Sequence, residues 1–210
     1  MKADAPVIVL ATPGWKGRDS SQAMERILSY GFERSRVAMY RGFDGRELGI
    51  WPLNIYRHGS EAGQMTESLA GCFLSHLGIW KAIQAMADLG SAEEGYLVVE
   101  EDAVFHAGWK ERVDEAMKAL PHDWVMFFVG PCNCGSPDPI SRVAGDLYRA
   151  LPLCLHAYYV RTSMAKHLVD ACGVIDCPVD IALFRNVFPI HPVYALLPRC
   201  VDQVDTPLIP

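Results

Sequence analysis

Short apolar runs alternate along the chain with segments in which apolar residues recur at helical spacing. The apolar runs are typical of buried strands, and they lie at residues 7–12, 37–40, 96–102, 123–130, 153–162 and 193–198. The helical spacing predicts helices at residues 20–30, 66–90, 107–120 and 163–173. Strands that alternate with helices and are apolar over most of their length indicate an α/β sheet covered by helices on both faces.

Signals at the ends of these segments agree with this division. Several adjacent polar residues can cap the first helix, namely Asp19, Ser20 and Ser21. Ser163 is expected to cap the fourth helix, and residues 46–65 show no period and are predicted to be a loop. Because the chain has no internal repeat, low-complexity tract or linker, residues 1–210 are predicted to form a single domain.

The composition excludes some classes of protein. The net charge is −6, so a nucleic-acid binder, which needs basic faces for phosphate, is not expected. No apolar stretch approaches the roughly 18 residues that cross a bilayer, which predicts no transmembrane segment and leaves peripheral contact with a membrane open. The run at residues 7–12 is short for a signal peptide, so a cytoplasmic protein is expected.

The chain has seven cysteines, an odd number, in mostly apolar contexts. This pattern indicates reduced thiols rather than a disulfide framework. Two closely spaced pairs could supply ligands for a soft metal, Cys132 with Cys134 and Cys172 with Cys177. A closed zinc site needs four ligands in recognised spacing, so buried or loop thiols are the simpler interpretation.

Three consecutive carboxylates, Glu100, Glu101 and Asp102, follow an apolar run. In an extended strand, Glu100 and Asp102 point to one face and Glu101 to the other. Two carboxylates directed at one point suit a hard cation such as Mg²⁺ or Mn²⁺, with a diphosphate as a further metal ligand. Small molecules bind to α/β proteins outside the carboxyl ends of the strands, which is where these acids stand. The alternative is that the strand stops at Val99 and the acids form a solvated turn.

A second candidate lies in the helical segment GCFLSHLGIWK (71–81), where Ser75 and His76 stand among apolar residues. Histidine has a pKa suited to proton transfer, but a lone histidine on an apolar helix is also commonly a hydrogen-bonded core residue. The sequence contains neither a Gly-rich phosphate loop nor a G-x-S-x-G nucleophile elbow.

Taken together, ordered blocks along nearly the whole chain resemble glycosyltransferase family 25, the group of lipopolysaccharide and collagen glycosyltransferases. FDG (43–45) with Arg46 is similar to the family's VDG-R segment, and GCFLSH (71–76) with Trp80-Lys81 to its GCxxSH…WK block. YLVVEEDAVF (96–105) is similar to its ILEDDV segment. The further matching blocks are PHDW (121–124) with FFVG (127–130), HAYYVRTSMAKHLV (156–169), PVD (178–180), and Pro198 with Gln203.

The resemblance implies a GT-A-like (Rossmann-like) fold with a mostly parallel sheet. It also implies transfer of a hexose, galactose or glucose, from a UDP-sugar to a hydroxyl of a glycan, lipopolysaccharide or similar acceptor. The three acids then correspond to a metal site of the DxD type for Mn²⁺ or Mg²⁺. Asp102 is the expected direct ligand, and Glu100 is a second ligand or a contact to the nucleotide ribose. The family's middle Asp is Glu101 in this chain.

The resemblance gives roles to other residues as well. Asp180 of PVD is the candidate base for the acceptor hydroxyl, with a helix N-cap as the alternative. Ser75 and His76 would line the donor or acceptor pocket. Thr12 and Asp44 would lie near the nucleotide, since the end of the first strand approaches the base and ribose in this fold.

Three functions compete at this point. The leading one is an active, metal-dependent glycosyltransferase. The alternative is a catalytically degenerate relative that binds a sugar nucleotide without turnover. The third is a metal-dependent phosphohydrolase that uses the same acids, but the sequence offers no second acidic cluster for a two-metal site.

Overall fold

The computed structural model describes residues 4–12, 20–48, 65–132 and 141–204. The strands in these residues are β1 (Val7–Ala11), β2 (Val37–Arg41), β3 (Gly95–Glu100), β4 (Ala103–Phe105), β5 (Met126–Phe128), β6 (Ser141–Ala144), β7 (Leu147–Arg149), β8 (Ala157–Arg161), β9 (Val193–Leu196) and β10 (Val201–Gln203). The α-helices are α1 (Ser20–Ser29), α2 (Glu67–Asp88), α3 (Trp109–Ala119), α4 (Ala165–Ala171) and α5 (Val179–Asn186). Short 3₁₀ helices cover Arg34–Arg36, Gly45–Leu48 and Thr162–Met164.

One sheet of eight strands forms the centre of the molecule, in the order β2-β1-β3-β8-β5-β9-β7-β6. β1 pairs in parallel with β2 and β3, and β5 pairs in parallel with β9. β8 and β7 are antiparallel to their neighbours on both sides. The other strands of the sheet therefore share one direction, which confirms the predicted mostly parallel α/β sheet.

Each face of the sheet buries its own apolar cluster, because successive side chains of a strand point to opposite faces. Ile8 and Leu10 of β1 belong to the cluster covered by α2, α4 and α5. The alternate residues Val7 and Val9 belong to the cluster covered by α1 and α3. Helices thus cover both faces, as the apolar runs predicted.

All the predicted helices are present, and the predicted strands are present but mostly shorter. The strand predicted at 153–162 begins only at Ala157. Cys154 has a left-handed backbone with a φ of 65°, a conformation that a strand does not accommodate. The pattern missed β4, β6, β7 and β10, since runs of three or four residues are too short to show a period.

The helix caps agree only in part with the predictions. Thr66 caps α2, because its side chain accepts a hydrogen bond from Leu69 N at 3.2 Å. The prediction for Ser163 is wrong, because Ser163 lies inside a 3₁₀ helix and α4 has Met164 as its N-cap. Of the candidates to cap α1, Asp19 lies outside the described residues, and the structure describes only the backbone of Ser20 and Ser21.

The six cysteines in the described ranges are free, as the odd count indicated, and Cys134 lies outside those ranges. Cys172 and Cys177 are buried and belong to no metal-binding cluster that the described residues form. Within the same ranges, no helix has both the length and the apolar character required to cross a membrane.

Candidate active site

The carboxyl ends of β1, β2 and β3 meet at one edge of the sheet, where Leu10 lies beside Glu100 and Ala11 beside Arg41. A cleft opens at this edge, the position at which α/β sheets bind their ligands. Its lining includes Thr12, Cys72, Ser75, Gln203 and the acidic triplet, residues 100–102.

The whole acidic triplet faces this cleft. β3 ends at Glu100 and the chain turns at Glu101, so strand alternation does not apply and Glu101 lines the same cleft as its neighbours. Glu101 is 4% exposed, and its Oε1 accepts a hydrogen bond from Thr12 N at 3.3 Å. The sequence left open that the three acids form a solvated turn. The turn is present, but Glu101 within it is buried.

Glu100 is held through both of its carboxylate oxygens. His76 Nε2 lies 3.2 Å from Oε1, and Gln203 Nε2 donates to Oε2 at 3.0 Å. Because an ionised carboxylate only accepts hydrogen bonds, His76 carries its proton on Nε2, and its Nδ1 accepts from the Tyr158 hydroxyl at 2.8 Å. Trp80 Nε1 donates in turn to the Tyr158 oxygen at 3.2 Å. This network fixes the orientation of Glu100 in the cleft wall.

The two polar residues predicted on α2 have different positions. Ser75 lines the cleft, whereas His76 is fully buried behind Glu100 and is not part of the lining. His76 is therefore a hydrogen-bonded core residue, and its contact with Glu100 connects it to the site. Ser75 Oγ accepts from Phe43 N at 2.8 Å and donates to Gly71 O at 2.6 Å, which ties the turn after β2 to α2.

Glycines allow α2 to approach the turn after β2 very closely. A Cβ atom on Gly71 would lie 2.5 Å from Phe43 O and 2.6 Å from Gly45 N. A Cβ atom on Gly45 would lie 1.6 Å from the carbonyl oxygen of Glu67. The glycines of the FDG and GCFLSH blocks are thus required by backbone contact, and this contact places Gly45 and Ser75 together at the cleft.

Asp44 was expected near the nucleotide. It does not line the cleft, whereas its neighbour Gly45 does. Its Oδ1 accepts from the backbone N and from Nε of Arg46, both at 2.9 Å. Hydrogen bonding from the Arg46 side chain holds the pKa of Asp44 below its usual value. In this structure the Asp44 carboxylate shapes the turn that borders the cleft.

Asp180 lies in the first turn of α5, whose N-cap is Pro178, so the alternative in which Asp180 is a helix N-cap is wrong. Its Oδ2 accepts from Cys154 N at 3.4 Å. Asp180 does not line the cleft, but it is close enough to act on it electrostatically. Burial, together with the charges of Glu100 and Asp180, raises the pKa of the Cys72 thiol well above its ordinary value.

Two cleft residues, Cys72 and Gln203, were missed as site residues by sequence reasoning. Cys72 precedes Ser75 and His76 by three and four positions, the spacing of one helix face, so this signal could have found it. Gln203 stands 103 positions from Glu100. It reaches Glu100 because β10 pairs with β4, the strand that follows the acidic triplet.

Two clusters of described side chains bring metal-binding atoms within 4.8 Å of one another. The first, at the cleft, consists of Cys72, His76 and Glu100. The second, which we call the thiol–imidazole cluster, consists of Cys132, Cys154 and His156. Sequence spacing indicated Cys132 as a soft ligand only together with Cys134, and it missed Cys154 and His156.

The chain is similar to known glycosyltransferases. No protein-family model matches the chain. It is 29% identical over 109 residues to a protein of Acanthamoeba polyphaga mimivirus described as a glycosyltransferase, an alignment that covers 50% of this chain and 32% of the relative. It is also 29% identical over 156 residues to procollagen galactosyltransferase 1-A of Xenopus laevis, covering 70% of this chain and 24% of the relative. This chain is a distant relative of glycosyltransferases.

The relatives are much longer proteins, since the chain spans only about a quarter to a third of their length. Among solved structures, mannose-1-phosphate geranyltransferase from Thermus thermophilus is similar with a TM-score of 0.50 and 12% identity, over 95% of this chain and 76% of that one. At this low identity the similarity shows only that the folds are alike. The fold of this chain is GT-A-like, as expected. The similarities support a glycosyltransferase, whereas membership of family 25 stays a prediction.

Proposed function

We propose that this chain is a metal-dependent glycosyltransferase that moves a hexose from a UDP-sugar to a hydroxyl group of a glycan acceptor. The observation that carries the proposal is the convergence of the acidic triplet with Thr12 and Ser75 in one cleft, at the carboxyl ends of parallel strands. The names of the distant relatives point to the same chemistry. Galactose or glucose as the hexose, and a lipopolysaccharide or similar glycan as the acceptor, belong to this proposal.

The cleft suits Mn²⁺ or Mg²⁺, because hard cations take oxygen ligands and its wall presents consecutive carboxylates. Glu100 and Asp102 would hold the ion, Glu100 in the orientation set by His76 and Gln203. When bound, the cation would neutralise charge on the departing diphosphate. Glu101 has a different task, since its hydrogen bond with Thr12 N stabilises the turn that presents Asp102.

The other residues would position donor and acceptor. Thr12, at the end of β1, and the turn at Asp44 form the part of the cleft that the nucleotide would contact. Ser75 keeps that turn against α2. Asp180, aligned by the Cys154 amide, is the proposed base that accepts the proton of the acceptor hydroxyl as the new glycosidic bond forms.

UDP release from UDP-galactose and UDP-glucose tests the proposal, with the wild type and Asp102→Asn measured in parallel. We expect EDTA to stop release by the wild type and Mn²⁺ to restore it. Asp102→Asn should lower kcat by about 10²–10³, the effect of removing one group that stabilises charge in the transition state. Asp170→Asn, which changes an exposed aspartate on α4, is the matched control and should retain wild-type activity.

Two results would contradict the proposal. UDP release that persists in EDTA would refute metal dependence. Tight UDP binding in calorimetry without turnover of either donor would instead favour the degenerate relative. Asp180→Asn distinguishes donor binding from transfer. Loss of the base should lower the rate of transfer to the acceptor by about 10²–10⁴ and leave UDP binding unchanged.

A further inference from the structure

The thiol–imidazole cluster adjoins the cleft, since Glu100 N donates to His156 O at 2.9 Å, but it offers softer ligands than the carboxylates do. One ring nitrogen of His156 and the sulfur atoms of Cys132 and Cys154 all lie within 4.8 Å of one another. Two ligands of the same tetrahedral zinc ion, each about 2.1–2.3 Å from the metal, are roughly 3.5–4 Å apart. Small rotations of the side chains would therefore bring these three atoms around one ion.

His156 has the hydrogen bonding of a metal ligand. It is 1% exposed, and its Nε2 donates to Val201 O at 3.2 Å. Because a carbonyl oxygen only accepts, the ring carries a proton on Nε2, and a metal would have to bind at Nδ1. Nδ1 is buried without a hydrogen-bond partner in the described part of the chain. Histidines that bind metals typically donate their other ring nitrogen to a backbone carbonyl in this way.

The backbone around the cluster is also unusual. Cys154 has a positive φ of 65°, a conformation that is strained for a non-glycine residue and that clusters at functional sites. An isolated β-bridge joins Cys132 to Leu153, with Leu153 N donating to Cys132 O at 2.9 Å. The bridge and the positive φ together bring Cys154 next to Cys132 and His156.

The protonation of the thiols is consistent with this arrangement. The neighbouring Cys154 thiol, with further help from His156, lowers the pKa of Cys132 to about 5 despite partial burial. This shift favours the thiolate, the form in which cysteine binds metals. A metal would displace the remaining proton from Cys154, whose pKa is raised by the same interaction with Cys132. Burial lowers the pKa of His156, but interaction with Cys132 outweighs this and raises it, so a metal would displace a proton there as well.

We propose that Cys132, Cys154 and His156 bind one Zn²⁺ ion, in a site that shares no ligand with the Mn²⁺ or Mg²⁺ site of the cleft. Thiolate and imidazole ligands select zinc over magnesium or manganese. Three protein ligands leave a fourth position for water or another ligand. Because the Cys154 amide donates to Asp180, the zinc ion would also hold the start of α5 in place. This inference does not depend on the proposed glycosyl transfer.

Zinc analysis of the wild-type protein, purified with a thiol reductant and without chelator, gives the first test. We expect about one zinc ion per chain. After removal of zinc, Co²⁺ should bind at the same stoichiometry and give a thiolate-to-cobalt charge-transfer band. Zn²⁺ should also slow the alkylation of Cys132 and Cys154 by iodoacetamide at least tenfold, as mapped by mass spectrometry. This measurement needs no variant.

Variants then assign the ligands. Cys132→Ser and Cys154→Ser should each lower the zinc content at least tenfold. Cys177→Ser, which changes a buried cysteine outside both clusters, is the matched control and should keep it. Cys72→Ser tests the competing cluster at the cleft and should also keep the zinc content unchanged. Circular dichroism of each variant checks that it is folded.

Three outcomes would overturn the proposal. These are the absence of zinc and of cobalt binding in the reduced wild type, loss of zinc in Cys72→Ser instead of Cys132→Ser, and a disulfide between Cys132 and Cys154 in the freshly purified protein. UDP release is measured separately, with added Mn²⁺, and its dependence on Asp102 is tested without any change to the three proposed zinc ligands. Failure of the zinc site and failure of the proposed transferase are thus distinguishable.

Discussion

Two histidines, His76 and His156, are equally buried, with exposed fractions of 0% and 1%, but they have different partners. His76 is bonded through both ring nitrogens, to the Tyr158 hydroxyl and to Glu100. His156 Nε2 donates to the carbonyl oxygen of Val201, and the ring lies beside the thiols of Cys132 and Cys154. A ring bonded to a hydroxyl and a carboxylate holds these groups in place, whereas a ring beside two thiols can bind a metal.

The comparison extends to the ligands around each histidine. The cleft presents the carboxylates of the acidic triplet, which suit a hard cation, whereas the thiol–imidazole cluster presents sulfur and nitrogen, which suit a soft one. Each region also contains a partly buried thiol in a different state. Burial and nearby carboxylates keep Cys72 protonated, while the neighbouring Cys154 thiol favours the thiolate of Cys132. Burial is the main cause of the pKa shift at Cys72, whereas the neighbouring thiol is the main cause at Cys132.

The largest expected difference between the two regions is in the reactivity of their thiols, Cys132 and Cys72. In metal-free wild-type protein at pH 6, we expect iodoacetamide to alkylate Cys132 about a hundredfold faster than Cys72, because the thiolate is the nucleophile. The pKa of Cys132 is lowered to about 5, so its alkylation rate should be nearly constant above that pH and fall as the pH drops through it. The pKa of Cys72 is raised well above 9.0, so its rate should still rise about tenfold per unit at neutral pH.

Mass spectrometry of alkylated peptides over a pH series measures both rates at once. The denatured protein is the control, since the two thiols should react at similar rates there. If the alkylation rate of Cys132 instead rises about tenfold per pH unit between pH 6 and 8, as for an ordinary thiol, Cys132 does not differ from Cys72 in the proposed way.

The next effect concerns His76, which we interpret as a positioning residue for Glu100. His76→Phe removes the hydrogen bond to Glu100 and should lower kcat/KM for UDP release about 10–100-fold, the usual effect of losing a group that orients a metal ligand. His76→Gln, which keeps a donor, should recover part of the loss. Tyr159→Phe is the control, because it changes a buried tyrosine on the other face of the sheet and leaves the contact between His76 and Glu100 in place.

Steady-state kinetics of the folded variants measures this effect. A purely structural role predicts that His76→Gln and His76→Phe fail alike in proportion to their loss of stability. Partial recovery of kcat/KM at equal stability would instead support positioning.

The smallest effect concerns Ser75, which joins the turn after β2 to α2. Ser75→Ala leaves Phe43 N without its acceptor and should lower the free energy of unfolding by about 1 kcal/mol, the net value of one such hydrogen bond. Urea denaturation measures the change. Ser163→Ala, which changes an exposed serine, should alter stability by less than about 0.5 kcal/mol, and equal effects of the two substitutions would show that Ser75 does not tie these elements together.

Much of the fold was readable from local pattern. The alternation of apolar runs and helical segments predicted the layered sheet, and the places of α1 to α4 were confirmed. The FDG and GCFLSH blocks are explained by contact, since Gly71 and Gly45 allow two backbones to meet. Short elements escaped prediction, as β10 (Val201–Gln203) illustrates, because three residues carry no period.

The site was predictable to the extent that it is local in the chain. Glu100 and Asp102 were indicated by their place after a buried strand, and both line the cleft. The position of Glu101 was not predicted, because strand alternation ends where β3 ends. Asp180 follows Pro178 in the first turn of α5, and only the tertiary structure brings its carboxylate to Cys154 N.

The order of apolar and polar residues by itself determined that this chain forms a parallel-rich sheet with helices on both faces, because strands that are apolar on both sides must be covered on both sides. It also determined that carboxylates stand at the end of an inner strand. Only the tertiary structure decided that Gln203 meets Glu100 and that His156 meets Cys132, because contacts between distant residues follow from strand pairing and chain reversal. Those pairings depend on the whole sheet, and no local pattern encodes them.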